Sequence, residues 1–205
     1  MIHPAPLAPG GHKKPPLRDE ARFIRSWMEK PLIMGSVTPS GRALAQMMAR
    51  PMDPASEGPI LELGPGTGPV TQALVDRGID EARLVLVEFN TAFVMLLRER
   101  FPRANVIQGD AYAVRDVLSG VVDEPLAGVV SSLPLLTKPV PQRARLLKEC
   151  LELCRPGAPF AQFTYMVAPP IPLFAAEGAA ARGSRVVWRN IPPARVWTYR
   201  RATEA

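Results

Sequence analysis

Five short apolar runs, separated by stretches of helical periodicity, constrain the fold of this 205-residue chain more than any other property. Pro59-Ile60-Leu61-Glu62-Leu63, Leu84-Val85-Leu86-Val87-Glu88, Asn105 to Asp110, Ala127 to Ser132 and Pro159 to Tyr165 have the length and content of buried strands. Between them, Val70 to Arg77, Thr91 to Phe101 and roughly 141–154 read as helices. Alternation at this spacing predicts a parallel sheet with helices on both faces. The end of the chain differs. Ser184 to Arg189 and Ala194 to Tyr199 are strand-like runs joined by Asn190-Ile191-Pro192-Pro193, which predicts an antiparallel hairpin closing the sheet. The expectation is an α/β fold with seven strands, mostly parallel.

Composition removes the alternatives. The 24 prolines cluster before Leu32 and between Pro156 and Pro193, which excludes a continuous helical bundle. No apolar stretch reaches the roughly 20 residues that span a bilayer, and the best, Tyr165 to Ala176, holds three prolines. Met1 to Pro6 lack the charged head and apolar run of a secretion signal. Cys150 and Cys154 are too few for a disulfide framework or a four-ligand zinc site. They are expected to be core residues in a reducing, cytoplasmic setting, and no metal is expected. Charge is uneven. Residues 1–50 carry eight Lys and Arg against three acids, 177–205 carry six against two, and the middle carries eleven against fourteen. Basic ends on an acidic body favour a phosphate-bearing partner, either nucleic acid or an anionic membrane.

Three regions are expected: a disordered leader over 1–16, an N-terminal amphipathic helical segment over 17–50, and the α/β body over 51–205. Leu17, Ala21, Ile24 and Met28 share one helical line, widened by Phe23 and Trp27, while Arg18, Arg22, Arg25 and Glu29 take the opposite side until Pro31 stops the helix. Such a helix either docks on its own domain or lies in a lipid interface. In the second case Arg22 and Arg25 face water and Phe23 and Trp27 face the membrane. A loop, Gly35-Ser36-Val37-Thr38-Pro39-Ser40, then offers Thr38 or Ser40 to cap a helix over about 40–50.

The glycine loop narrows the chemistry. Sites in open α/β sheets lie beyond the strand carboxyl ends. There the chain reads Glu62-Leu63-Gly64-Pro65-Gly66-Thr67-Gly68. Pro69 stands where a dinucleotide fingerprint wants a small residue, and the Lys-Ser/Thr pair of a P-loop is absent. An acid two residues before G-x-G-x-G resembles the first motif of class I S-adenosylmethionine-dependent methyltransferases. That resemblance implies that Glu62 helps hold the methionine ammonium and that the glycines admit the cofactor. Glu88, twenty residues past Gly68, ends the second strand where a carboxylate accepts ribose hydroxyls, and Asp110 ends the third where an acid takes the adenine amino proton. Singly, each acid would read as a solvated loop carboxylate; three in order at strand ends point to one cofactor.

After the fourth strand the chain reads Ser131-Ser132-Leu133-Pro134-Leu135-Leu136. Enzymes that methylate nucleobase amines usually carry Asn-Pro-Pro-Tyr or a variant there, the aromatic stacking on the flipped base. Ser132 and Leu135 replace its ends, which disfavours a base. Together with Glu88-Phe89-Asn90, Gln162-Phe163-Thr164-Tyr165 and Asn190-Ile191-Pro192-Pro193-Ala194-Arg195-Val196-Trp197, these segments resemble the bacterial phospholipid N-methyltransferases over about residues 20–200. The resemblance implies a Rossmann-like class I methyltransferase fold and S-adenosylmethionine as cofactor. It also implies successive methylation of phosphatidylethanolamine toward phosphatidylcholine. Cofactor contacts are expected from Ser36, Ser40, Glu62, Gly64, Gly66, Thr67, Gly68, Glu88, Phe89, Asp110, Ala111 and Ser131. Tyr165 and Ser131 are the expected catalytic pair, with Tyr165 also facing the growing quaternary ammonium. Lys30, Arg185, Arg189 and Arg195 are candidates for the lipid phosphate. The expected partners are a phospholipid substrate and an anionic membrane touched peripherally on the inner face, with no nucleic acid and a monomeric chain. The rival is an RNA adenine dimethyltransferase, against which stand Leu135 and the lack of a helical domain after Arg201.

Overall fold

The central strand, β1 (Ile60–Leu63), is buried along its whole length because it is flanked by parallel neighbours and covered on both faces. The computed structural model of the chain describes residues 41–188, 190 and 192–201. The expectations placed on Arg22, Phe23, Arg25, Trp27, Lys30, Ser36, Ser40 and Arg189 lie outside them. In chain order the elements are α1 (Arg42–Ala49), β1, α2 (Pro69–Asp76), β2 (Leu84–Glu88), α3 (Thr91–Arg100) and β3 (Asn105–Gln108). They continue with α4 (Val114–Leu118), β4 (Gly128–Ser131), α5 (Val140–Leu153), β5 (Phe160–Thr164), β6 (Ala179–Gly183) and β7 (Arg195–Arg201). The sheet order is β3-β2-β1-β4-β5-β7-β6, with β7 antiparallel to both neighbours and the rest parallel. This is the expected seven-stranded, mostly parallel class I arrangement.

Alternation along the strands divides the core in two. On one face α1, α2 and α3 bring Leu44, Met48, Leu74, Val94, Leu97 and Phe101 against Ile60, Leu86, Val130 and Phe163. On the other, α4 and α5 bring Val114, Leu146, Leu147, Cys150 and Leu151 against Leu61, Val85, Val129 and Phe160. Fully burying each large side chain stabilises by about 1.5–3 kcal/mol. Both cysteines are buried and free, as a core role predicts; burial pushes Cys150 up and Cys154 to about 12, so both remain thiols.

Helix starts follow local chemistry. Asn90 caps α3 by accepting from Ala92 N and Phe93 N at 2.9 and 3.2 Å. Pro69 is the first residue of α2, where a missing N–H costs nothing. One expectation needs correction. The strand beside β7 is Ala179–Gly183, not 184–189. Past the Gly183–Trp197 pair the Ser184 hydroxyl accepts from Val196 N at 3.0 Å, so the regular ladder ends and only a Val187–Ala194 bridge follows. The short helix α4 matches no expectation, its five residues being too few to show a period. Among the described residues no helix is long and apolar enough to cross a membrane.

Candidate cofactor and acceptor crevice

The register brings the strand ends level. Leu63 pairs with Val87 and with Ser131, and Glu88 pairs with Gln108, so the residues that follow open into one crevice. Gly64 N donates to Val87 O at 2.9 Å, Gly109 N to Glu88 O at 3.0 Å and Ser132 N to Leu63 O at 2.9 Å, which fixes three loops to the sheet.

Two glycines show why the loop has its composition. Gly66 sits at φ 59° with nothing within 4 Å of where a Cβ would stand, so its backbone borders open space. Gly68, at φ 83°, begins α2 under the packed ring of Phe101; a Cβ there would lie 2.6 Å from Phe101 Cε2.

Glu62 points from the middle of β1 to Thr71 in the first turns of α2. Its side chain is fully buried, and Oε2 accepts from Thr71 Oγ1 at 2.7 Å while Oε1 has no partner. Burial raises its pKa to about 8, with the nearby Glu88 charge adding to the rise and the Thr71 bond opposing it. A buried carboxyl with one orphaned oxygen is the counterpart of a cation, such as the ammonium of an amino acid moiety. Glu88 is nearly buried; Oε2 accepts from Gly66 N at 3.0 Å and Oε1 from Asn90 N at 2.9 Å. Those bonds aim the carboxylate, and each oxygen keeps a lone pair for a hydroxyl. Asp110 is exposed, its Oδ1 fixed by Tyr112 N at 2.9 Å, and Ala111 beside it is buried. Phe89 is 76% exposed next to Glu88. Thr67 lies on the loop between Gly66 and Gly68, its carbonyl accepting from Arg100 Nη1. The donor set therefore fits a nucleoside carrying an ammonium group.

Beyond β4, Ser131 and Ser132 are buried with unpartnered hydroxyls. Gln162 in β5, paired with Ser131, donates through Nε2 to Leu133 O and Phe163 O, both at 3.0 Å. It holds the Leu133-Pro134 turn in place while its Oε1 stays unpartnered. Leu135 is 2% exposed within the core, so it presents no stacking surface. Tyr165 follows β5 with its ring edge-on to Phe163 at 5.4 Å. Gln162 and Thr71 were not expected at the site. Their types are common in strands and helices, and only the fold shows which atoms they meet.

The arginines part company. Arg195 shares the face of Trp197 and packs beside Gly183, while Arg185 is exposed and lines a groove with Val196 on the opposite face. The structure does not bring them together.

A methyltransferase domain family model matches residues 60–157, the span from β1 past α5. The chain is 30% identical over 153 residues to the ornithine lipid N-methyltransferase of Singulisphaera acidiphila, covering 73% of this chain and 80% of that protein. It is 36% identical over 92 residues to the ribosomal RNA small subunit methyltransferase A of a Synechococcus strain, covering 43% of this chain but only 29% of that protein. The structure resembles the O-methyltransferase of Bacillus cereus, solved with SAH, with a TM-score of 0.58 at 15% identity over 92% of each chain.

Proposed function

Because the chain belongs to the class I S-adenosylmethionine-dependent methyltransferases, we propose that it methylates the amine of phosphatidylethanolamine and its methylated intermediates at a membrane surface. The observation that carries this reading is the distribution of exposed apolar side chains. Ten large hydrophobics are exposed among the described residues, and Phe89, Leu136, Tyr165, Met166, Val167 and Trp188 all follow strand ends at or near the crevice side. Such a rim suits an acyl surface better than water. The lipid N-methyltransferase relative supports the same substrate class, and Leu135, being buried, offers no stacking face at the position where base methylases carry an aromatic.

S-adenosylmethionine is the cofactor; bound, it supplies an electrophilic methyl group on a positively charged sulfur. Glu62 Oε1 would take the methionine ammonium, Glu88 the ribose hydroxyls and Asp110 the adenine amino group, with Phe89 and Ala111 beside the base. A cation paired with Glu62 Oε1 would favour its ionised form. The acceptor nitrogen reacts only as a neutral amine. Ser131 Oγ, unpartnered at the end of β4, orients it, and the face of Tyr165 stabilises the alkylated cation that results. Gln162 fixes the Leu133-Pro134 turn next to Ser131. The reading includes peripheral action on the inner face of the cell membrane by a monomeric chain.

The test is incubation of the full chain with methyl-labelled cofactor and, separately, phosphatidylethanolamine vesicles, ornithine lipid vesicles and RNA. Label in phosphatidylethanolamine is expected. Label in ornithine lipid alone would replace the headgroup, and label in RNA would overturn the lipid reading.

A further inference from the structure

A cavity of about 580 Å³ lies on the sheet face covered by α1. Four guanidiniums line it: Arg50 at the end of α1, Arg182 in β6, Arg185 just beyond it, and Arg200 in β7. Met47 and Val196 supply apolar lining, and no acid lines it among the described residues. All four arginines are exposed. Arg50, Arg182 and Arg185 make no side-chain hydrogen bond or ion pair with a described residue, whereas Arg103, Arg115 and Arg145 on the rest of the surface are each paired with an acid. Arg200 Nε donates to Gly157 O at 3.1 Å, which leaves its outer nitrogens available. Like charges converging on one cavity repel, and an anion seated among them relieves that repulsion while accepting several charge-assisted hydrogen bonds.

We propose that this groove is a second lipid site, which seats the phosphate of an anionic glycerophospholipid and so anchors the protein independently of the acceptor in the crevice. Planar guanidiniums match phosphate oxygens in pairs, and the partly buried Met47 accepts the apolar part where the glycerol joins its chains. Arg185 lies on the extension of β6 toward the crevice side, three residues before Trp188, which is 76% exposed. An exposed tryptophan near a phosphate site in sequence suits a membrane–water boundary. Single-stranded nucleic acid would need aromatic platforms for its bases, and the cavity has none among the described residues. The choice of a lipid phosphate rests on the lipid reading above; the anion site itself does not.

The experiment uses the full chain with S-adenosylmethionine. It compares phosphatidylcholine vesicles with and without phosphatidylglycerol, free glycerophosphate, and RNA. Arg50→Gln combined with Arg182→Gln should weaken binding to the phosphatidylglycerol vesicles about tenfold, leaving cofactor affinity and the unfolding transition unchanged. Equal vesicle binding by variant and wild type overturns the site. Loss of glycerophosphate or RNA binding with intact vesicle binding overturns its lipid identity. Methyl transfer to detergent-dispersed phosphatidylethanolamine is measured in parallel. If the variant keeps that activity but shows wild-type vesicle binding, the anchor fails and the substrate stands. If the wild type labels no lipid while the variant loses vesicle binding, the substrate fails and the anchor stands.

Discussion

The crevice and the arginine groove are opposite in construction. In the crevice, two carboxylates are buried and aimed by specific partners, Glu62 by Thr71 and Glu88 by Gly66 and Asn90, while Glu62 Oε1 and the Ser131 hydroxyl are left for a ligand. In the groove, charge is exposed and three of the four arginines have no described partner. A buried preset site binds a ligand of fixed shape and couples that ligand to folding. An exposed cluster tolerates substitution and selects for charge with little demand on shape. Stability, cofactor affinity and vesicle affinity should therefore separate by region.

The largest effect belongs to the crevice floor. Gly68→Ala must place a Cβ against the buried Phe101 ring at a left-handed φ, and we expect a loss of about 2–5 kcal/mol from backbone strain and overpacking together. Urea unfolding measures it. Arg50→Gln and Arg182→Gln should each stay within about 0.5 kcal/mol of wild type. A stability loss in the groove variants as large as that at Gly68 would erase the distinction.

Next is Glu62→Gln, expected to weaken the cofactor by about 1.5–3 kcal/mol through loss of a charged hydrogen bond, read by calorimetry. It also has a pH signature. Burial raises the carboxyl's pKa from 4.5 to about 8, so the folded state holds the proton more tightly. Its contribution is full below the unfolded value and is lost as pH rises through the folded one. The cofactor-free protein should lose stability between about pH 4.5 and 8 on this account, and the glutamine variant should lose less. A steeper decline in the variant would contradict the burial argument.

How much of this was legible in the sequence depends on whether information was local. Leu84–Glu88 and Phe160–Thr164 are buried at every position; the apolar run Leu84 to Val87 announced the first, and Phe160, Ala161 and Phe163 around Gln162 the second. Ala179–Gly183 announced nothing, because alanine has low strand propensity and its strand exists only through pairing with β7. Val186, Val187 and Trp188 looked more strand-like, yet the ladder had already ended at Ser184. The three acids were visible because Glu62 lies within an apolar run, Glu88 ends one, and Asp110 follows Gly109 at the end of a short strand-like segment. The Thr71 partner of Glu62 and the Gln162 brace were not, since each depends on a contact between separate elements. The groove joins Arg50 to residues more than a hundred positions later, so composition showed the basic ends without showing that they meet.

An intermediate effect tests the outer part of the crevice. Asp110→Ala removes an exposed carboxylate whose other task is to accept from Tyr112 N. The expected loss of cofactor affinity is about 1–3 kcal/mol, with little change in stability. Wild-type affinity would mean that the adenine lies elsewhere.

The smallest effect separates the two means of meeting a membrane. Met166 and Val167 are 56% and 79% exposed, so Met166→Ser or Val167→Ser should leave stability within about 0.5 kcal/mol. If the rim enters the acyl boundary, each change removes partial burial of one apolar side chain, on the order of 1 kcal/mol of vesicle affinity. That loss should persist at high salt, because apolar transfer is not screened, whereas the loss from the Arg50 and Arg182 changes should shrink as salt rises. Vesicle sedimentation across a salt series distinguishes them. Rim variants whose deficit vanishes with salt would show that those side chains act only by placing the arginines, and the crevice would then have no lipid contact of its own beyond the acceptor.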